Sequence, residues 1–210
     1  MPVKAAVKKP RARRTIVSET QIIEIATRMF AEMGFPAVSI RDIASECKVN
    51  IPSIYHYFAD KTDLYDRCCE HAFSRISATL RTSLSGSETA HQYVKRFTTE
   101  LSEVLLHDSQ FRKLLQRELL YSRSKRFEAL SDNYFTGEYK SLTKALTEIE
   151  GSSAGAKMKG FSICAMVFGL ISLRHTAELG GTKLPMLASP AKLAEHVLNG
   201  LFPAHNWKKI

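Results

Sequence analysis

Several chemistries find nothing to work with in this 210-residue sequence. There is no His-Glu-x-x-His pair to hold zinc, and no nucleophile turn is expected. The one glycine-lysine candidate for a phosphate loop, Gly155-Ala156-Lys157, has the wrong glycine spacing and no Ser or Thr after the lysine. An enzyme built on a helical bundle is therefore unsupported. The four cysteines, Cys47, Cys68, Cys69 and Cys164, show neither metal-ligand spacing nor a disulfide framework. They read as structural thiols, with no metal and no cofactor expected. No segment shows the two-residue alternation of a strand. The longest apolar run, Phe161 to Leu173, is broken by two serines and a glycine and reads as too short to span a bilayer. The N-terminus lacks an apolar stretch behind its charges, so no targeting signal is expected, and a cytoplasmic protein with no membrane partner is.

Acid is also missing from the first fourteen positions, and this absence is informative. Lys4, Lys8, Lys9, Arg11, Arg13 and Arg14 stand there alone, six of the charges behind a formal net charge of +9. A basic segment with Pro2, Pro10 and small residues reads as a disordered arm suited to phosphate or minor-groove contact. The bland alternative is a solvated tail. Adjacency to the unit described next favours the arm.

From Ser39 to Phe58 the chain reads as two short helices joined by a tight turn. Ser39 is a helix N-cap and Asp42, three residues on, can reciprocate. Ile40, Ile43 and Ala44 form the apolar side of the first helix. Asn50 caps the second, from about Ile51 to Tyr57, and Pro52 near its start costs no hydrogen bond. Helices this short are marginal alone. A preceding helix supports them: Ser18 and Gln21 form a capping box, and Ile22, Ile23, Ala26, Phe30 and Met33 form an apolar stripe that ends at Gly34. Three helices of this kind make a helix-turn-helix unit whose last helix enters the DNA major groove.

The arrangement Ala26, Phe30, Gly34, Ser39, Ile43-Ala44, Val49, Ser53, Ile54-Tyr55-His56-Tyr57-Phe58, Lys61 and Leu64 resembles the N-terminal domain of the TetR family of bacterial transcription regulators. The resemblance runs over about residues 15 to 75 without a gap. The family usually has Gly where this chain has Lys48, a position that favours a left-handed backbone, so strain is expected at Lys48. Asn50, Ile51, Pro52, Ser53 and Tyr55 are the candidates for base edges; Ser39, Tyr55, His56 and Lys61 are candidates for phosphates. Lys61 at a helix N-terminus opposes the dipole, and a nearby phosphate would explain it. The resemblance implies the same contact.

Beyond this unit the sequence reads as further helices. A fourth, capped by Asp60 with Asp63, runs to about Leu84. Later ones cover about residues 88–107, 110–121, 125–149, 156–179 and 191–202, with residues 151–155 as the clearest loop. The expected class is all-α: an N-terminal three-helix helix-turn-helix domain plus a C-terminal helical bundle, about nine helices in all. The expected division is an arm over 1–14, a DNA-binding domain over 15–62 and a bundle over 63–210. The resemblance implies a ligand pocket in the bundle, for which Phe97, Phe111, Arg117, Tyr121, Tyr134, Phe161 and His175 are candidates. It also implies a dimer through the last two long helices, with Phe168, Ile171, Leu193, Val197, Leu198 and Leu201 at the interface. The expected function is that of a homodimeric repressor on a palindromic double-stranded operator, released by a small hydrophobic effector. A nonspecific architectural DNA-binding protein is the alternative.

Overall fold

The computed structural model describes residues 17–83, 89–120 and 125–207. These residues are all-helical, with no strand among them, and they divide into two compact units that meet in sequence at Tyr65 and Asp66. The basic arm, with Lys8, Lys9, Arg11, Arg13 and Arg14, and the pocket candidate Tyr121 lie outside the described residues.

The first unit contains α1 (Glu19–Met33), α2 (Ile40–Glu46), α3 (Ile51–Tyr55) and the beginning of α4 (Lys61–Ser83). Each of these helices starts on a local side chain. Ser18 with Gln21 and Ser39 with Asp42 form complete capping boxes, and Asn50 Oδ1 accepts from Ser53 N at 3.0 Å. Asp60 Oδ1 accepts from Thr62 N and Asp63 N, while Asp63 reaches back to Ala59 N at 2.8 Å. Caps of this kind satisfy donors that helices so short could not otherwise hide. Ile22, Ala26, Phe30, Ile43, Ile54 and Phe58 form the buried centre. Met33, assigned to the apolar stripe, is instead half-exposed at the end of α1, where Gly34 turns the chain away at φ 84°.

The second unit contains the rest of α4, then α5 (Ala90–His107), α6 (Ser109–Leu120), α7 (Lys125–Tyr134), α8 (Thr136–Glu150), α9 (Ser153–Ser172), α10 (Arg174–Leu179), a 3₁₀ turn at Pro185–Ala188 and α11 (Pro190–Leu201). Eleven α-helices are therefore described where about nine were expected. Two expected helices are each divided. Phe135 interrupts the first of them at φ −125°, and its ring packs 5.6 Å from that of Phe73. Leu173 divides the second; its own N–H still donates to Gly169 O at 2.9 Å, so the chain bends without losing that bond. No proline marks either break.

Helix α9 packs against α5, α8 and α11. Ala156, Gly160, Ile163, Val167 and Ile171 face inward at helical spacing and are buried. On the other side Met158 and Phe161 are 66% and 64% exposed, and Ala165 is exposed too. The apolar run judged too short for a bilayer thus belongs to a continuous 20-residue helix that is long and apolar enough to cross one by length and composition. One such helix is weak evidence. Its inner side is committed to three neighbouring helices, and Lys159 on it pairs with Glu150 at 2.8 Å.

Four of the expected dimer residues are corrected by this packing. Ile171, Leu193, Val197 and Leu198 are buried within the single chain and form the seam between α9, α11 and α5. An amphipathic helix spends its apolar side on its own core first. Phe168 and Leu201 remain half-exposed.

Candidate nucleic-acid interface

The segment from Ser39 to Lys61 shows what each short helix hides and what it offers. Ile54 is fully buried, so the opposite side of α3 is turned to solvent. Asn50, Pro52, Tyr55 and His56 are exposed there, with Tyr55 at 51%; Ile51 and Ser53 are half-buried. Phe58 belongs to the core, and Tyr57 is half-buried with its Oη donating to Val17 O at 3.2 Å. Tyr57 therefore fastens the end of α3 to Val17, the residue before the N-cap of α1.

The turn before α3 contains Lys48 at φ 56°, the one non-glycine residue with positive φ among those described. The left-handed backbone expected from the sequence is present. A side chain there costs about 1 kcal/mol relative to glycine.

Hydrogen bonding limits what three of the candidates can offer a ligand. Asn50 Oδ1 accepts from both Ser53 N and Ser53 Oγ, the latter at 2.5 Å. Its amide N–H groups are what remain for a base edge. Ser53 has already given its hydroxyl proton to that cap. Ser39 Oγ accepts from Asp42 N at 3.2 Å and donates to Asp42 Oδ2 at 2.6 Å. These bonds from Ser39, with a smaller contribution from Arg41, hold the Asp42 carboxyl below its usual range. A phosphate bound by the Ser39 hydroxyl would have to compete with that carboxylate.

Lys61 has a partner the sequence did not reveal. Its Nζ sits 4.4 Å from the centre of the Phe35 ring, which packs against Tyr65 and Phe30. A cation over an aromatic face is stabilised by the ring quadrupole, which accounts for a lysine at this helix start without requiring DNA. The signal was present as an aromatic residue just after Gly34, but nothing in the spacing connects positions 35 and 61. Two further exposed cations, Arg41 on α2 and Lys48 in the turn, were not singled out as contacts.

Over residues 17–65 there are four basic and seven acidic side chains, a balance of three negative charges. The six positive charges of the preceding arm more than reverse it.

In the second unit the expected pocket residues that are described differ in exposure. Phe97 and Phe111 are buried, and Phe111 packs edge-on to Phe73 at 5.2 Å, a filled aromatic core. Arg117 and Tyr134 are half-buried. Phe161 points out of α9, and the His175 side chain is 82% exposed, 3.9 Å from Glu178; neither faces inward in this chain. The exposed end of a short helix beyond the Leu173 bend explains His175. A cavity of about 480 Å³ lies elsewhere, lined by Asp66, Glu70, Lys125, Arg126, Ala129, Leu130 and Asn133. None of the candidates lines it. Its walls are charged, and Arg126 is held between Asp66 and, at 3.6 Å, Glu118.

The thiols fit the structural reading. Cys47, Cys68 and Cys69 are buried, and burial pushes the Cys164 thiol up to about 11. Such a group stays protonated at neutral pH. The expectation of no nucleophile turn passed over one match: residues 151–155 spell Gly-x-Ser-x-Gly around Ser153. That turn presents a nucleophile only between a strand and a helix. Here it joins α8 to α9, with Gly151 closing one helix at φ 68° and Ser152 capping the next.

The exposed face of α3, carried on a three-helix unit, coincides with what comparison finds. Residues 22–68 match the tetR family of bacterial regulatory proteins. Over those residues the chain is similar to the TetR family. It is 26% identical over 108 residues to the HTH-type transcriptional regulator LuxR of Vibrio harveyi, covering 51% of this chain and 53% of that one. The chain spans about half the length of LuxR and less of other curated relatives it matches. Among solved structures it resembles the transcriptional regulator FadR of Bacillus subtilis in complex with stearoyl-CoA, with a TM-score of 0.65, 19% identity and coverage of 90% and 100% of the two chains. It also resembles AibR in complex with isovaleryl coenzyme A and operator DNA, with a TM-score of 0.68, 14% identity and coverage of 88% and 97%. At these identities the structural likeness concerns the fold.

Proposed function

We propose that this chain is a cytoplasmic repressor of the TetR type that binds a palindromic operator as a homodimer and is released by a small hydrophobic effector. The observation that carries the DNA half is the outward face of α3, with Asn50, Pro52, Tyr55 and His56 exposed while Ile54 anchors the helix from behind. Asn50 reads a base through its amide N–H groups, Pro52 and Ile51 touch a thymine methyl, and Tyr55 adds a further contact. His56, Ser39 and Lys61 hold phosphates and fix register. Lys61 turns from Phe35 toward DNA or shares its charge with both. Dimerisation uses the outer side of α9, where Met158, Phe161 and Ala165 leave apolar surface uncovered and where a Cβ at Gly169 would meet nothing within the chain. Effector binding in the bundle acts on α4, which runs in sequence from one unit into the other; the effector must bind the two states unequally. Acyl thioesters of coenzyme A, present in two of the similar structures, are the first effectors to try.

The test is selection of bound sites from genomic DNA by the purified full chain, followed by competition against random duplex. A preference of roughly a thousandfold or more for one palindrome is expected. Asn50→Ser, which keeps a capping hydroxyl, relaxes base preference, whereas Lys61→Ala weakens all sequences alike and lowers the salt slope by about one. A flat preference across sequences would favour the architectural alternative, toward which the charge balance between arm and domain leans.

A further inference from the structure

A pair of histidines far apart in sequence, used nowhere in the reading above, meets at the C-terminal end of the second unit. His91 is in the first turn of α5, and His205 follows α11 in a segment turned back by a bond from His205 N to Phe202 O at 3.1 Å. His91 Nε2 and His205 Nδ1 are 3.1 Å apart, and both residues are half-buried. We infer that His91 and His205 form a two-imidazole site for a divalent transition-metal ion, which ties the C-terminal segment to α5.

The geometry carries this assignment. Two nitrogens each about 2.0–2.1 Å from one metal, at angles between square and tetrahedral, lie about 2.9–3.4 Å from each other. The observed separation falls within that span. A head-on N–H···N bond of the same length would place the ring centres about 5.4 Å apart. They are 5.0 Å apart at an interplanar angle of 44°, closer than that head-on arrangement and within reach of a shared ion that replaces the hydrogen bond between the rings. Beside them is an open cavity of about 340 Å³ lined by Asn199, Pro203, Ala204, His205 and Asn206, through which water can complete the coordination. Among the described residues no cluster of three or more His, Cys, Asp or Glu side chains could hold an ion. The protein thus supplies two donors, and binding is reversible rather than the closed grip of a structural zinc site. Imidazole donors select nickel, copper and zinc over magnesium and calcium. Lys159, over the Phe202 ring that packs against His205, is occupied with Glu150 at 2.8 Å.

The site includes its own reporter. Trp207, the single tryptophan of the chain, is fully buried with ring centres 5.5 Å from His91 and 5.9 Å from His205. Untagged full-length protein is titrated with Ni²⁺ and with Zn²⁺ at pH 7.5, followed by calorimetry and tryptophan fluorescence. One ion per chain is expected, with quenching of Trp207 by Ni²⁺ and no response to Mg²⁺. His91→Gln and His205→Gln each weaken binding at least about tenfold; His196→Gln, exposed on α11, leaves it unchanged. The two ligands come from separate segments, so a variant that fails to fold by circular dichroism leaves the other to decide. Absence of saturable binding of either ion below about 1 mM, or affinity that survives both substitutions, overturns the assignment.

Discussion

Residues 17–65 and residues 66–207 build helices from the same twenty letters by different means. In the first stretch every helix start is fixed by a neighbour in sequence: Ser18, Ser39, Asn50 and Asp60. In the second, Thr89, Ser152 and Ser189 cap α5, α9 and α11 in the same way, but α8 and α10 begin with no side-chain cap at all, at Phe135 and Leu173. The small unit has three helices and little area to bury, so local bonds must define where each helix begins. In the large one the uncapped break at Phe135 falls where its ring packs on Phe73 of α4. A second contrast is electrostatic. Residues 17–65 are net negative, and positive charge is concentrated in the fourteen residues at the N-terminus and in the chain after the first unit.

That contrast is most strongly tested by deleting residues 1–14. Since up to six counterions are involved, the slope of log affinity against log salt is expected to fall by up to about five, with affinity for any duplex dropping by orders of magnitude. The thermal unfolding of the remainder stays the same. A slope that does not move would place the electrostatic contact elsewhere. Next in size is the pair of sides of α9. Met158→Glu combined with Phe161→Glu converts dimer to monomer in sedimentation and lowers operator affinity at least about a hundredfold. Val167→Asp, on the inner side, prevents folding. If both behave alike, the two sides are not distinct.

Within the small unit, Ile54→Ala removes the anchor beneath α3 and destabilises by about 2–5 kcal/mol in denaturant unfolding. Ser39→Ala is gentler, lowering the melting temperature by about 2–6 °C. Its effect depends on pH with a definite sign. The Ser39 bonds lower the Asp42 carboxyl, so the part of their stabilisation that depends on the ionised carboxylate is complete above the ordinary carboxylate range near 3.8 and disappears as pH falls through the lower folded value. The gap between wild type and variant should therefore narrow in acid to what the Ser39 Oγ cap on Asp42 N contributes. The smallest change is a gain: Lys48→Gly relieves the left-handed turn and stabilises by about 0.5–1 kcal/mol, as melting would show.

The capped helix starts at Ser18, Ser39, Asn50 and Asp60, the strained turn at Lys48 and the α3 face were legible in the sequence because each depends on residues three or four apart. Lys61 was legible as an anomaly, though its partner Phe35 was not. The pocket and dimer candidates fared differently. Periodicity says that α9 and α11 are apolar, but a helix apolar on two sides gives no sign of which side its own chain will take. Leu193 and Val197 went to the core, and Phe161 stayed outside.

By itself the sequence determined the helical class and the three-helix unit with its family likeness, since caps, turns and short-range periodicity are encoded within a few residues. Only the tertiary structure decided the break at Phe135, the inward side of α9, the charged walls of the cavity beside Arg126 and the meeting of His91 with His205. Each of those depends on contacts between residues far apart in the chain, which packing selects and local pattern does not record.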